Sequence, residues 1–320
     1  MTLEYVRQDM ERVCCKGIFM NENFERIALV GNGINDASKI EWIGLLNYLQ
    51  QKKIKIPGSL IDLHDKEISP TIFFEYFNAF SQQKNLESYS SSNRQLENLV
   101  CEYIEDKSNF IKKLWKKYNK VLTVNFDDNL ILSSDLKKMA NNKVLQQRYD
   151  FEFDNQQKKI YFIHGFYKNP STICLGFDKY CYLLKLIQDF IVKNYPNDEE
   201  ISRRKSKNMK NKKEKSRSAK SWIDFFFMEN VQIDILGFSL SQSEIDIWWI
   251  LNRRMQVRNR VNNKICYYDL PVINSNGLKN TVRENKHKIL KTMDVEVVEI
   301  GGEEELQKYD ADFYSLCLKK

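Results

Sequence analysis

Zinc-clip cysteine patterns are missing from this sequence. Its 7 cysteines fall at positions 14, 15, 101, 174, 181, 266 and 317, and none forms a CxxC pair. That excludes a structural zinc site built from two such clips, and an odd number of thiols argues against a disulfide framework. Most of these thiols read as small buried apolar side chains. Only 5 prolines and 11 glycines occur in 320 residues, which excludes collagen-like and low-complexity classes. No apolar run approaches the roughly 18–20 residues that cross a bilayer, so no membrane association is expected. The first twenty residues carry acids and bases throughout and no apolar h-region. No signal peptide is therefore expected, and the expected location is cytoplasmic. No HExxH, GxxxxGK[ST] or EF-hand pattern occurs, so neither metal nor ATPase chemistry is expected.

What is present is a core-forming composition. Hydrophobic residues make up 42% and aromatics 12%, which sets the chain apart from disordered proteins. The length fits one large domain or two small ones. The net charge of +7 is concentrated in one place: residues 202–220 hold ten Lys/Arg and a single acid, Glu214. Such a run repels itself and reads as a solvated, mobile insertion or frayed helix end over 197–220. A phosphate-binding arm for nucleic acid is the alternative, not the favoured one, because the run lacks interleaved aromatics.

Short apolar runs alternate with amphipathic stretches. Strands are predicted at Ile27–Val30, Val121–Val124, Val231–Leu236, Lys264–Tyr268 and Val295–Ile300. A hairpin is predicted from Tyr149–Phe153 and Lys159–Ile163 around Asp154–Gln157. Helical spacing marks Ile40–Leu49, the long stretch 92–118, Asp178–Val192, Leu278–Met293 and Glu303–Leu318. A short helix is predicted at Trp222–Glu229, and another at Ser243–Arg260 with Ser241 or Ser243 as its N-cap. The alternation indicates an α/β fold with a mainly parallel sheet.

In an open parallel sheet, ligands bind outside the carboxyl ends of the strands, and the short motifs sit there. After the first strand comes Gly31-Asn32-Gly33-Ile34-Asn35-Asp36, whose small residues would let amides approach a diphosphate. After the second comes Asn125-Phe126-Asp127-Asp128-Asn129, an amide plus carboxylates able to hold ribose hydroxyls, or simply an Asx-turn. After the hairpin comes His164-Gly165. His164 is one of 3 histidines, and its ring suits a general base near neutral pH. His64 and His287 read as structural. After the fourth strand comes Gly237-Phe238-Ser239-Leu240-Ser241. It lacks the second glycine of GxSxG, so Ser239 has little support as a nucleophile.

In this order, GNGIN, TVNFD, HG and GFSL, the motifs resemble the sirtuin superfamily. They look most like the sirtuin-like NAD hydrolases of bacterial antiphage defence. The abortive-infection family AbiH has a similar outline and is the nearest competitor. The resemblance runs from about Ile27 to about Trp249. It implies a Rossmann-like, mainly parallel sheet with helices on both faces. The chain 1–320 would form one sirtuin-like domain with a helical insertion at 66–118, the basic insertion at 197–220 and a βαβ extension at 262–320.

The resemblance also implies cleavage of the nicotinamide–ribose bond of NAD, with NAD as substrate and no metal. Asn125, Asp127 and His164 would be catalytic: Asn125 and Asp127 hold ribose and position water, and His164 is the base. Gly31, Asn32, Gly33, Ile34, Asn35, Phe126, Gly237, Phe238 and Ser239 would line the dinucleotide. Deacetylation is not expected without the zinc module. An abortive-infection effector must be restrained, so a homo-oligomer or a regulatory protein partner is expected, with the 92–118 stretch or Trp248-Trp249 as surfaces. The alternatives are a non-catalytic NAD or ADP-ribose sensor or scaffold and, more weakly, an ADP-ribosyl transferase.

Overall fold

The computed structural model describes residues 24–34, 109–132, 137–139, 144–166, 169, 172–174, 176–206, 219, 221–241, 244–273, 277–301, 309 and 311–320. Eight strands form one sheet: β1 (Glu25–Val30), β2 (Lys120–Thr123), β3 (Lys137–Met139), β4 (Arg148–Phe153), β5 (Gln156–Phe162), β6 (Val231–Leu236), β7 (Lys264–Asp269) and β8 (Glu296–Glu299). Their spatial order is β3-β4-β5-β2-β1-β6-β7-β8. From β5 to β8 every neighbouring pair is parallel, while β3 and β4 form an antiparallel edge. Counted in chain order, the parallel strands run 3-2-1-4-5-6, the doubly wound Rossmann order. The chain direction across the sheet reverses between β1 and β6.

The strands are apolar on both sides because both faces are covered. Along β1, Ile27 and Leu29 join one core cluster and Ala28 and Val30 the other. The first cluster takes Leu183, Ile187 and Ile191 from α2 (Phe177–Asn194), together with Ile247, Ile250 and Leu251 from α4 (Ile245–Gln256). The second takes Leu114 and Trp115 from α1 (Asn109–Lys117), together with Phe313 and Tyr314 from α6 (Ala311–Cys317). The remaining helices are α3 (Asp198–Ser206) and α5 (Thr281–Thr292). No helix among the described residues is long and apolar enough to cross a membrane.

Several expectations need correction. The hairpin forms, but its turn is only Asp154-Asn155, both with positive φ (54° and 56°), the twist that two-residue hairpins require. Trp222–Phe226 is a 3-10 helix, shorter than the expected Trp222–Glu229. A capping box closes it, in which the Ser221 hydroxyl and the Asp224 carboxylate take the first amides. Glu244 is the N-cap of α4, in place of Ser241 or Ser243. The first part of the expected 197–220 insertion, residues 198–206, is helix α3. Arg204 donates to the Val192 carbonyl, and Glu200 pairs with Arg253 at 2.7 Å. Those contacts offset the charge repulsion that the sequence alone suggested. The Ile40–Leu49 stripe, His64, Asn35 and Asp36, and most of the insertions 66–118 and 207–220, lie outside the described residues.

Candidate active site

The reversal between β1 and β6 sets their two terminal loops against each other. The Gly31 amide donates to the Leu236 carbonyl at 3.0 Å, and the Gly33 amide donates to Gly237 O at 2.8 Å. A Cβ on Gly31 would lie 2.5 Å from Gly237 O, and one on Gly237 would lie 2.7 Å from the Ile34 nitrogen. Both loops therefore need glycine in order to touch. The amides of Gly31 and Gly33, expected to face a diphosphate, are already committed to β6. Gly237 also has φ of +59°, and Leu240 in the same loop has φ of +49°. Positive φ at a bulky residue is a backbone outlier, of the kind that gathers at functional sites. Phe238 and Leu240 are buried and pin the loop, leaving Ser239 exposed.

Gly237→Ala is expected to cost about 1–3 kcal/mol in backbone strain alone, with displacement of Ile34 added. A denaturant titration should show the midpoint falling. An unchanged midpoint would mean that the two loops are free to separate.

Next to these loops, β2 and β5 end side by side. Thr123 pairs with Phe162, the last residues of β2 and β5, and Asn125 and His164 each lie two residues past their own strand. Both are buried. The Asn125 amide nitrogen donates a long bond, 3.4 Å, to the Gly31 carbonyl, which ties this strand end to the glycine turn. Its backbone amide donates to the Thr123 hydroxyl at 3.0 Å. Asp127 Oδ1 accepts the Asn129 amide at 3.0 Å, so this carboxylate closes an Asx-turn in its own loop. Asn32 and Phe126 are half-buried, and Ile34 is buried.

His164 is held from both sides. Its carbonyl accepts the Cys174 amide at 2.7 Å, and the next residue, Gly165, has φ of +102° and leaves no room for a Cβ against Thr172 O. Its Nε2 lies 2.9 Å from Asp246 Oδ2, in the first turn of α4. The other Asp246 oxygen accepts the Tyr180 hydroxyl of α2 at 2.7 Å, and the Asp246 amide donates to the same hydroxyl at 3.2 Å.

Asp246 is fully buried. Burial alone would push its carboxyl up. The facing His164 and the hydrogen bonds from His164, Tyr180 and the Ile247 amide hold it below the usual range instead. For His164, burial would lower the imidazolium, but Asp246, with Glu244 behind it, holds it above its ordinary value. Glu244 itself is pushed up by burial, against the pull of His164 and with Asp246 adding to the rise. The buried Cys174 thiol is pushed up to about 12, chiefly by burial and then by Asp246.

Donor atoms of His164, Glu244 and Asp246 lie within 4.8 Å of one another, a group that could hold a divalent cation. Asp246, Tyr180 and Glu244 had not been expected at the site. The available signal was an acid in the first turn of the otherwise apolar helix that follows the GFSLS loop.

A second cluster closes the end of β7. Asp269 is buried and faces His287 Nε2 at 2.8 Å, Lys286 Nζ at 3.2 Å and the Tyr309 hydroxyl. Lys286 also reaches Tyr267 Oη at 2.7 Å and Ser239 O at 3.4 Å, which joins α5 to the GFSLS loop. His287 is thus enclosed in a fold-closing network, with Glu299 3.3 Å from its Nδ1.

No protein-family model matches the chain, and no curated protein matches it in sequence.

Proposed function

We propose that the protein hydrolyses the nicotinamide–ribose bond of NAD to nicotinamide and ADP-ribose, as an effector of abortive infection held in check by an oligomer or partner. One observation carries this reading. At the point where the strand order reverses, the Gly31–Ile34 and Gly237–Ser239 loops meet, and the next two strands, β2 and β5, are each followed two residues on by a buried polar side chain, Asn125 and His164. Dinucleotides bind at such switch points. The resemblance in motif order to sirtuin-like NAD hydrolases, with AbiH as the nearest competitor, points the same way.

The chemistry suits these groups. Breaking the bond develops oxocarbenium character on the ribose, and the nicotinamide nitrogen leaves with the bonding electron pair. Water then bonds to the anomeric carbon, and His164 takes its proton. Asn125 positions the ribose and that water, a task in which placement supplies much of the acceleration. The Gly31–Ile34 and Gly237–Ser239 loops line the diphosphate and the adenosine ribose.

The test follows NAD with the full chain, quantifying nicotinamide and ADP-ribose. Equimolar release supports hydrolysis. Radiolabel passing from NAD to macromolecules would assign a transferase instead. The second reading is a non-catalytic NAD or ADP-ribose sensor; the Gly31 and Gly33 amides, occupied by the carbonyls of Leu236 and Gly237, leave diphosphate contacts to other groups in either reading. Binding of NAD without release of either product, alone and with a genetically linked partner, would select that reading.

A further inference from the structure

We infer that Asp246, itself held by Tyr180, is a positioning residue: it fixes His164 with its proton on Nε2 and so presents Nδ1 as the atom that accepts a proton. The catalytic part of this inference rests on the proposed hydrolysis, while the tautomer and the pairing stand independently of it.

A neutral imidazole has one N–H and one lone pair, and the partner of one nitrogen decides the role of the other. Here Nε2 is 2.9 Å from a buried carboxylate oxygen. The other oxygen of that carboxylate accepts the Tyr180 hydroxyl, so it has a donor on each side and remains acceptor-only while ionised. The N–H therefore belongs on Nε2. Nδ1 has no hydrogen-bond partner among the described residues, and the side chain keeps 9% of its surface open.

The elements packed around His164 bring a defined set of groups. Helix α4 and its N-cap supply Asp246 and Glu244. Helix α2 supplies Tyr180, whose ring meets the imidazole edge-on at 6.1 Å, and Lys179, which acts on Cys174. The segment before α2 supplies the Cys174 thiol. Asp246 bonds the ring and Glu244 adds its charge from behind, which is why protonated His164 is favoured despite burial.

The sign of the pH dependence follows. A base must be neutral, so activity rises as pH rises through a value above the ordinary ~6.5 of histidine. The pair's contribution to stability has two limits. The Asp246 part is lost as pH falls below the ordinary ~3.9 through its lowered value. The His164 part is full below ~6.5 and is lost as pH rises through its raised value.

The experiment is a long-range 1H–15N NMR titration of the full chain. With 3 histidines, His164 is assigned from the signal missing in His164→Gln. In the wild type, neutral His164 is expected as the Nε2–H tautomer, with a midpoint above ~6.5. Asp246→Asn should lower that midpoint by about one to three pH units, and Tyr180→Phe by less. The His287 signal should stay fixed in both variants as the check on folding.

A neutral Nδ1–H tautomer, or a midpoint unmoved in Asp246→Asn, would overturn the inference. So would a titration that appears only after chelator treatment, since that assigns His164, Glu244 and Asp246 to a bound cation. In parallel, the acid limb of kcat/KM for NAD loss should follow the NMR midpoint from wild type to Asp246→Asn. If NMR shows the expected tautomer and shift but no NAD is lost, the pairing stands and the proposed reaction fails.

Discussion

His164→Ala is expected to slow nicotinamide release by about two to four orders of magnitude, the usual contribution of a positioned general base, while NAD continues to bind. With Nε2 paired to Asp246, the ring has one nitrogen left and makes at most one hydrogen bond to a substrate, worth about 0.5–1.5 kcal/mol net. The dissociation constant should therefore change by no more than about tenfold, while kcat collapses. Asn125→Ala is expected to cost about a hundredfold, the penalty for a reactant displaced by roughly an ångström. It should also raise KM, because Asn125 links the mouth to the Gly31 carbonyl. The two residues act on one ribose and one water. Their double variant should therefore be much less impaired than the product of the single effects. Isothermal titration with NAD, beside product quantification, reads both halves of this expectation. Activity that persists in His164→Ala would remove the base from the strand end where we put it. Loss of binding with loss of activity in both variants would point to collapse of the loops instead.

Much of the sheet was legible in the sequence, for physical reasons. Strands buried on both faces are short continuous apolar runs, so β1 and β6 stand out, and the glycines that end them mark the loops. The hairpin was readable because Asp154-Asn155 is one of the few pairs that tolerate positive φ in succession. Asn125 and His164 drew notice in the sequence as polar residues just past apolar runs, and the structure places both, buried, two residues beyond β2 and β5. Asp246 was not legible. It lies 82 residues from His164, and an acid in a first helical turn is ordinary for helix-dipole reasons. Only the fold puts α4 over the end of β5. The three-residue β3, with two lysines, carries no strand signal at all and exists because β4 offers it an edge. The sequence reading gave the glycines a ligand-facing role, whereas what the structure shows of Gly31, Gly33 and Gly237 is that they let two loops touch.

The largest stability effect is expected from a residue that the strand pattern hides. Asp234 interrupts the apolar β6 and is fully buried. It faces Arg26 Nη2 at 2.7 Å, accepts the Tyr118 hydroxyl at 2.6 Å and accepts the Gln232 amide at 2.7 Å. Arg26 in turn reaches the Tyr268 hydroxyl at 3.3 Å. Burial alone would lower the Arg26 guanidinium, yet Asp234 and the neighbouring tyrosines hold it above its ordinary value. Asp234→Ala leaves a guanidinium, a phenol and an amide facing a cavity. Removing one partner of a fully buried pair costs about 3–5 kcal/mol; with the Arg26 side chain 29% exposed, the lower end of that range is expected, still a large share of the roughly 5–15 kcal/mol that a domain possesses. The cost comes from stranding the partners more than from losing the attraction. Asp234→Leu combined with Arg26→Met should therefore cost clearly less than Asp234→Ala alone. Urea denaturation should show the lower midpoint with an unchanged slope. Asp234 pairs with Ala28 and Cys266, two residues before β6 ends, so the folded fraction of Asp234→Ala should keep His164's titration. A loss below about 1 kcal/mol would mean that water reaches the network, as exposed pairs contribute on that scale.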